Sequence, residues 1–191
     1  NGDEARLFTI LESLGGGVAL LDYDGDGLLD VFLTGGGTFD GPDRKRITGH
    51  PCRLYRNRGD FKFEDVTDRT GLGGVNWWYT HGAAVADYDN DGWPDLLVTG
   101  YGRVALFHNE PDGKGGRTFT DVSARLGVAA DQWSTSAGWA DLDGDGFPDL
   151  YVCRYADWSF DNHPECPPQT PGTGTKDICP PQKFKPLSHV V

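Results

Sequence analysis

The chain has no methionine, no C-x-x-C pair, no run of about 18 apolar residues, and few basic residues for its many acidic ones. Each absence narrows the field. Without the apolar run, nothing reads as a membrane-spanning helix. Without C-x-x-C or a His/Cys cluster at zinc spacing, no zinc site is expected, and without C-x-x-C-H no attached c-type haem. G-x-S-x-G, P-loop and H-E-x-x-H patterns are missing too. With 17 Lys and Arg against 29 Asp and Glu, the net charge of -12 argues against nucleic acid or anionic membrane as partners. A chain that opens at Asn1 and lacks even an initiator Met is expected to be processed, a fragment, or both. A removed secretory signal would fit, although no signal segment is visible.

What is present points to a globular chain of short strands. Its 191 residues are 37% hydrophobic and 12% aromatic, enough for a core. The 28 glycines and 12 prolines favour turns over long helices. The acids are clustered rather than spread. "DYDGDGLLD" begins at Asp22 and returns as "DYDNDGWPD" at Asp87 and "DLDGDGFPD" at Asp141. Each copy follows a small or apolar run ("GGGVALL", "HGAAVA", "SAGWA") and precedes a β-branched or aromatic one ("VFLTG", "LLVTG", "LYVC"). Further on, "RLYRNRGDFKFEDVT" matches "VALFHNEPDGKGGRTFTDVS", each reading as strand, glycine turn, strand.

The repeating unit is thus about four short strands, the sequence signature of an all-β propeller blade. Residues 17–66 make a first blade with an insertion at 35–51, and 82–122 a second. Residues 137–191 begin a third, incomplete one with a Cys/Pro-rich insertion at 153–191. Two and a half to three blades cannot close a ring and leave faces and edges uncovered. The expectation is that a longer protein, or another chain, completes the ring. The tryptophans in the connecting stretches, ahead of blades two and three, read as packing between blades, with a ligand platform as the alternative. The basic triplet Arg44-Lys45-Arg46 reads as part of a solvated loop.

D-x-D-x-D-G invites comparison with an EF-hand, which needs a Glu at position twelve and flanking helices. Position twelve is Leu33, Val98 and Val152, and the flanks are strands, so an EF-hand is rejected. What remains is a tighter loop with carboxylates at its first, third, fifth and ninth positions. These are Asp22, Asp24, Asp26 and Asp30; Asp87, Asp89, Asp91 and Asp95; and Asp141, Asp143, Asp145 and Asp149. Hard cations want several oxygen ligands, and calcium tolerates irregular geometry better than magnesium, so three Ca²⁺ sites are expected. Gly27, Gly92 and Gly146 would make the sharp turn. The backbone carbonyls of Leu28, Trp93 and Phe147 are the expected extra ligands. Without a cation, such crowded carboxylates repel one another.

The quoted loops and hairpins, with "WSTSAGWADLDGDGFPDLYVCRYADW", resemble the FG-GAP/VCBS repeats of integrin-α-type propellers, in the branch similar to cartilage acidic protein and its secreted bacterial relatives. The resemblance covers essentially the whole chain. It implies a seven-bladed, calcium-loaded, extracellular propeller with the metal on the aspartates named above. In that branch an insertion like "CPPQ" is followed by a further "LYRN"-type hairpin, which is not found here.

Four cysteines suggest disulfides and an oxidising compartment. Cys166–Cys179, bracketing "CPPQTPGTGTKDIC", is the expected pair and Cys52–Cys153 the remaining one, with a free buried thiol the alternative for Cys153. "RGD" at Arg58–Asp60 falls where the second repeat has a glycine turn and reads as turn chemistry. His81 and His108 have no Ser or Cys nucleophile paired with them and read as structural. No catalytic residue is assigned, and no enzyme is expected. The expected role is an extracellular or cell-surface (alternatively periplasmic) calcium-binding module for adhesion, interaction or assembly. Its partner would be a protein or glycan of a cell surface or matrix, or further copies of itself. The alternatives are the propeller portion of a secreted carbohydrate-active enzyme with its catalytic residues elsewhere, and a repeating subunit of an extracellular fibre.

Overall fold

The computed structural model describes residues 7–128, 132–168 and 176–191. Two complete four-stranded antiparallel sheets and a partial third follow one another along the chain. The first contains β1 (Val18–Leu21), β2 (Asp30–Leu33), β5 (Arg53–Asn57) and β6 (Phe63–Asp65), in that order across the sheet. The second runs β7 (Thr80–Ala86), β8 (Asp95–Gly100), β9 (Val104–Pro111) and β10 (Arg117–Asp121), and a single turn of helix, α1 (Ser123–Leu126), follows it. In the third, β11 (Ser134–Ala140) pairs with β12 (Asp149–Arg154). Val190 bridges Val152 where β5 and β9 pair with the second strand of their own sheets. These are stacked β-propeller-type blades, each a meander whose first hairpin is closed by an acidic loop.

Apolar runs with a two-residue period place alternate side chains on opposite blade faces. In β8, Leu96 and Val98 enter the core shared with the first blade, alongside Phe32, Leu54 and Phe107. Leu97 points the other way, toward Val122 and Val152 of a second core shared with the third blade. All six residues of β8 are buried for this reason. By contrast Val18 and Leu20, on the first blade's other face, are 57% and 56% exposed.

The innermost strands approach backbone to backbone. A Cβ at Gly17 would lie 2.6 Å from the His81 carbonyl oxygen, and one at Gly82 would lie 2.7 Å from that of Thr135. Glycine at the head of β1 and of β7 is therefore a packing requirement. Trp77 is buried between blades against Phe32 and Phe107, at 6.2 and 5.5 Å between ring centroids, in the packing role expected of it. Trp133 is buried as well, but in the third core described below.

The insertion at 35–51 is not a loose loop. It forms a hairpin of β3 (Gly37–Asp40) and β4 (Arg46–Gly49), with Asp40 held by Arg46 and by the Thr48 hydroxyl at 2.8 Å. Phe39 on this hairpin packs against Phe160 and Trp158 of the second insertion, whose short strands β13 (Ala156–Asp157) and β14 (Lys185–Pro186) pair. The two insertions thus build a third core, which also takes in Ile10, Leu11 and Trp133.

Cys166 and Cys179 form the expected disulfide within this third core, their Cα atoms 5.4 Å apart. The middle of their loop, 169–175, lies outside the described residues. The Cys52–Cys153 pairing is overturned, since both thiols are free. Cys52 is sealed in the first core beside the Gly35 amide and the Thr80 hydroxyl, and burial pushes its thiol up to about 11. Cys153 belongs to the third blade, opposite Ser136.

Candidate metal centres

Each acidic loop spans the turn from the first to the second strand of a blade, and the same bonds close the first two. The first aspartate accepts the amides of the fifth and sixth residues. Asp22 takes Asp26 and Gly27 at 3.0 and 2.9 Å, and Asp87 takes Asp91 and Gly92 at 2.9 and 2.8 Å. In the third loop Asp141 takes Gly144 and Gly146 at 2.7 and 3.0 Å. The sixth-position glycines have φ of +84, +92 and +91°, a region that L side chains rarely enter. The fourth position is left-handed too, in Gly25, Asn90 and Gly144, which explains why asparagine alone replaces glycine there.

The ninth aspartate ties the loop to the sheet. Asp30 is buried and accepts the Tyr23 amide at 3.0 Å and the Asn57 amide, from β5, at 2.8 Å. Asp95, also buried, does the same with Tyr88 at 3.2 Å and with Asn109, on β9, at 2.8 Å. Asp149 accepts Leu142 at 2.9 Å and is only half-buried. Burial pushes the Asp30 carboxyl up to about 6 and raises Asp95 as well, the backbone amides opposing it in both cases.

The carboxylates at the first, third and ninth positions converge in every copy. One oxygen from each of Asp22, Asp24 and Asp30 lies within 4.8 Å of the others, and the same holds for Asp87, Asp89 and Asp95 and for Asp141, Asp143 and Asp149. This oxygen-only donor set is the chemistry a hard divalent cation takes. Asp24 Oδ1 is buried without a hydrogen-bond partner among the described residues, as a ligand atom facing a cation would be. The residues present therefore fit the group. The fifth-position carboxylates stand outside these triads. Asp26, Asp91 and Asp145 each accept the seventh-position amide, that of Leu28, Trp93 and Phe147, at 2.8–2.9 Å.

Basic side chains reach two of the loops from the third strand of their own blade. Arg56 Nε is 2.7 Å from Asp24 Oδ2, and its terminal nitrogen is 2.9 Å from Asp26 Oδ2. The guanidinium holds Asp26 below the usual carboxylate range, while burial outweighs it at Asp24 and raises that carboxyl. His108 takes the matching place in the second blade. Neither reads as a site residue from the sequence alone. The signal lies in the aligned hairpins, where "LYRN" and "LFHN" place a basic residue before the asparagine that holds the ninth aspartate.

Neighbouring loops also touch. Asn109 Nδ2 donates to the Tyr23 carbonyl at 2.9 Å, and Asn90 Nδ2 to the Gly146 carbonyl at 2.8 Å. The Trp93 ring covers Gly25, where a Cβ would sit 3.0 Å from it, and Arg117 stacks on the same ring at 3.9 Å. Away from this rim, Arg58-Gly59-Asp60 forms the β5–β6 turn, closed from Arg58 N to the Lys62 carbonyl at 2.8 Å.

Stacked blades with an acidic turn at one rim of each define a propeller-type repeat protein. The profile of the FG-GAP-like repeat matches residues 22–98 and again 87–152, and the chain belongs to that family. Repeats of this kind suggest a propeller-like protein-interaction module. No curated protein matches the chain. The disulfide is compatible with a secreted protein, and among the described residues no helix is long and apolar enough to cross a membrane.

Proposed function

We propose that this chain is part of an extracellular calcium-binding propeller that serves adhesion, protein interaction or cell-surface assembly, without enzymatic activity. One observation carries the reading: three loops, at the same place in three successive blades, each gather three carboxylates within 4.8 Å of one another. Bound there, Ca²⁺ would offset the repulsion among these carboxylates. The chain's own part is to preform the loop through its backbone amides and to anchor it to the sheet through Asp30 and Asp95. Because the ninth aspartate belongs to the sheet and the first to the turn, cation affinity becomes blade stability. The role is that of a rivet, since among the described residues strands flank each loop and no helix pair stands ready to open as a calcium switch does. Recognition of a protein or glycan partner, or of further copies, falls to the loops and to the two packed insertions. The charge of -12 disfavours nucleic acid and anionic lipid.

The test is a thermal melt of metal-free protein with and without Ca²⁺, alongside calorimetric titration. At a hundred times Kd, one site adds about 2.7 kcal/mol, or about 5–10 °C in Tm for a chain of this size. Asp89→Ala should remove one site and leave the loops at Asp22 and Asp141 titrating. A Tm indifferent to both Ca²⁺ and excess EGTA sinks the proposal.

A further inference from the structure

The first two loops are not chemically equal, and the difference lies in one residue of the third strand of their blades. In the first blade that residue is Arg56. A guanidinium has only donors and is always charged, so between Asp24 and Asp26 it serves as a counter-ion and never as a ligand. In the second blade it is His108, an imidazole with a lone pair to give. Its Nδ1 lies 3.0 Å from Asp95 Oδ1, and Asp95 is fully buried. As an acceptor, the Asp95 carboxylate assigns the proton to Nδ1 and the lone pair to Nε2. The Tyr88 ring meets the imidazole edge to face at 5.8 Å and fixes its plane. A histidine held from behind by a carboxylate, with its other nitrogen free, has the orientation typical of metal-binding histidines.

That nitrogen faces Asp91, while Asp89 Oδ2 lies 3.8 Å from Nδ1 along the same ring edge. Nε2 is 3.9 Å from Asp91 Oδ2, and ligand atoms of Asp89, Asp91 and His108 all lie within 4.8 Å of one another. Zinc bonds of about 2.0–2.1 Å to nitrogen and about 2.0–2.2 Å to oxygen span such a gap. Imidazole suits zinc, whereas carboxylates alone suit calcium and magnesium.

We propose that the second loop is a mixed nitrogen–oxygen site that takes a zinc-class divalent ion through His108 Nε2, Asp89 and Asp91. It rests on the reading of these loops as cation sites. Asp89 also belongs to the oxygen triad with Asp87 and Asp95, so among the described residues zinc and calcium compete in this loop alone. Asp91, left outside the triad, acquires a role. So does the departure from arginine at this strand position.

The experiment is calorimetric titration of the metal-free protein with Zn²⁺, on wild type, His108→Asn and Arg56→His, with the imidazole nitrogens followed by NMR. Wild type should show one site at least tenfold tighter than any other zinc uptake, with the Nε2 resonance of His108 shifting as it fills. His108→Asn should lose that site and keep the Ca²⁺-dependent rise in Tm. Arg56→His should gain a second site, because it places an imidazole over Asp24 and Asp26. Tight zinc binding unchanged in His108→Asn, or a His108 resonance that does not move, overturns the proposal. If Ca²⁺ leaves Tm unchanged while zinc still binds through His108, the calcium reading fails and the zinc site stands.

Discussion

His81 should make the metal-free protein sensitive to mild acid. Its ring is buried between Tyr79 and Trp133, at 5.2 and 5.9 Å between centroids. Among the described residues neither nitrogen finds a well-aligned hydrogen bond, and the Gly15 carbonyl offsets only part of the burial, which pushes its pKa down from 6.5 to about 4. The unfolded chain therefore binds the proton first. Stability is fully present above pH 6.5 and is lost as the pH falls through 6.5 toward 4. The gap of about 2.5 units corresponds to about 3 kcal/mol in all, of which about 2 kcal/mol is gone by pH 5. Asp30 acts with the opposite sign. Its folded pKa of about 6 exceeds the ordinary 3.8, so its protonation stabilises the fold over nearly the same window. The wild-type curve alone would hide both effects. His81→Phe separates them, because a difference in ring packing shifts the curve vertically, whereas only a titrating group changes its slope. Urea unfolding in metal-free buffer from pH 7 to pH 4.5 should show wild type losing about 2 kcal/mol relative to His81→Phe by pH 5. Parallel curves would refute the reasoning.

Two further outcomes test the packing. Asn109→Ala removes the amide that holds the Tyr23 carbonyl at 2.9 Å and the Pro94 carbonyl at 3.2 Å, and should cost about 1–3 kcal/mol in denaturant unfolding. The same variant should weaken calcium binding at the Asp22 loop as well as at its own, because Asn109 touches both. In a thiol assay on the native protein, Cys153 should react first and Cys52 should stay silent until unfolding, after which two thiols titrate without reductant. Finding none would restore a Cys52–Cys153 bridge.

The acidic loops were legible because they close on themselves. Asp22 binds amides only four and five residues ahead, and the glycines that permit this are printed in the same nine letters. Repetition of those letters announces the blade, since one sheet alone leaves an apolar face uncovered, and the two complete sheets bear this out. Cys166–Cys179 was legible for a similar reason, being a short loop with a cysteine at each end.

What tertiary structure alone decided lies across longer separations. Nothing in the Arg44-Lys45-Arg46 stretch announces that Phe39 will meet Phe160, or that two insertions from different blades will share a core. Cys52 and Cys153 were paired only by elimination, and the fold assigns them to different blades. The grip of Asn57 on Asp30 crosses 27 residues and that of Asn109 on Tyr23 crosses 86, so both exist only once the strands are in register. Register likewise brings Arg56 and His108 over their acidic loops. By itself the sequence determined where carboxylates would crowd. Which side chain faces them was decided by strand pairing, a property of backbones meeting in space that no local motif encodes.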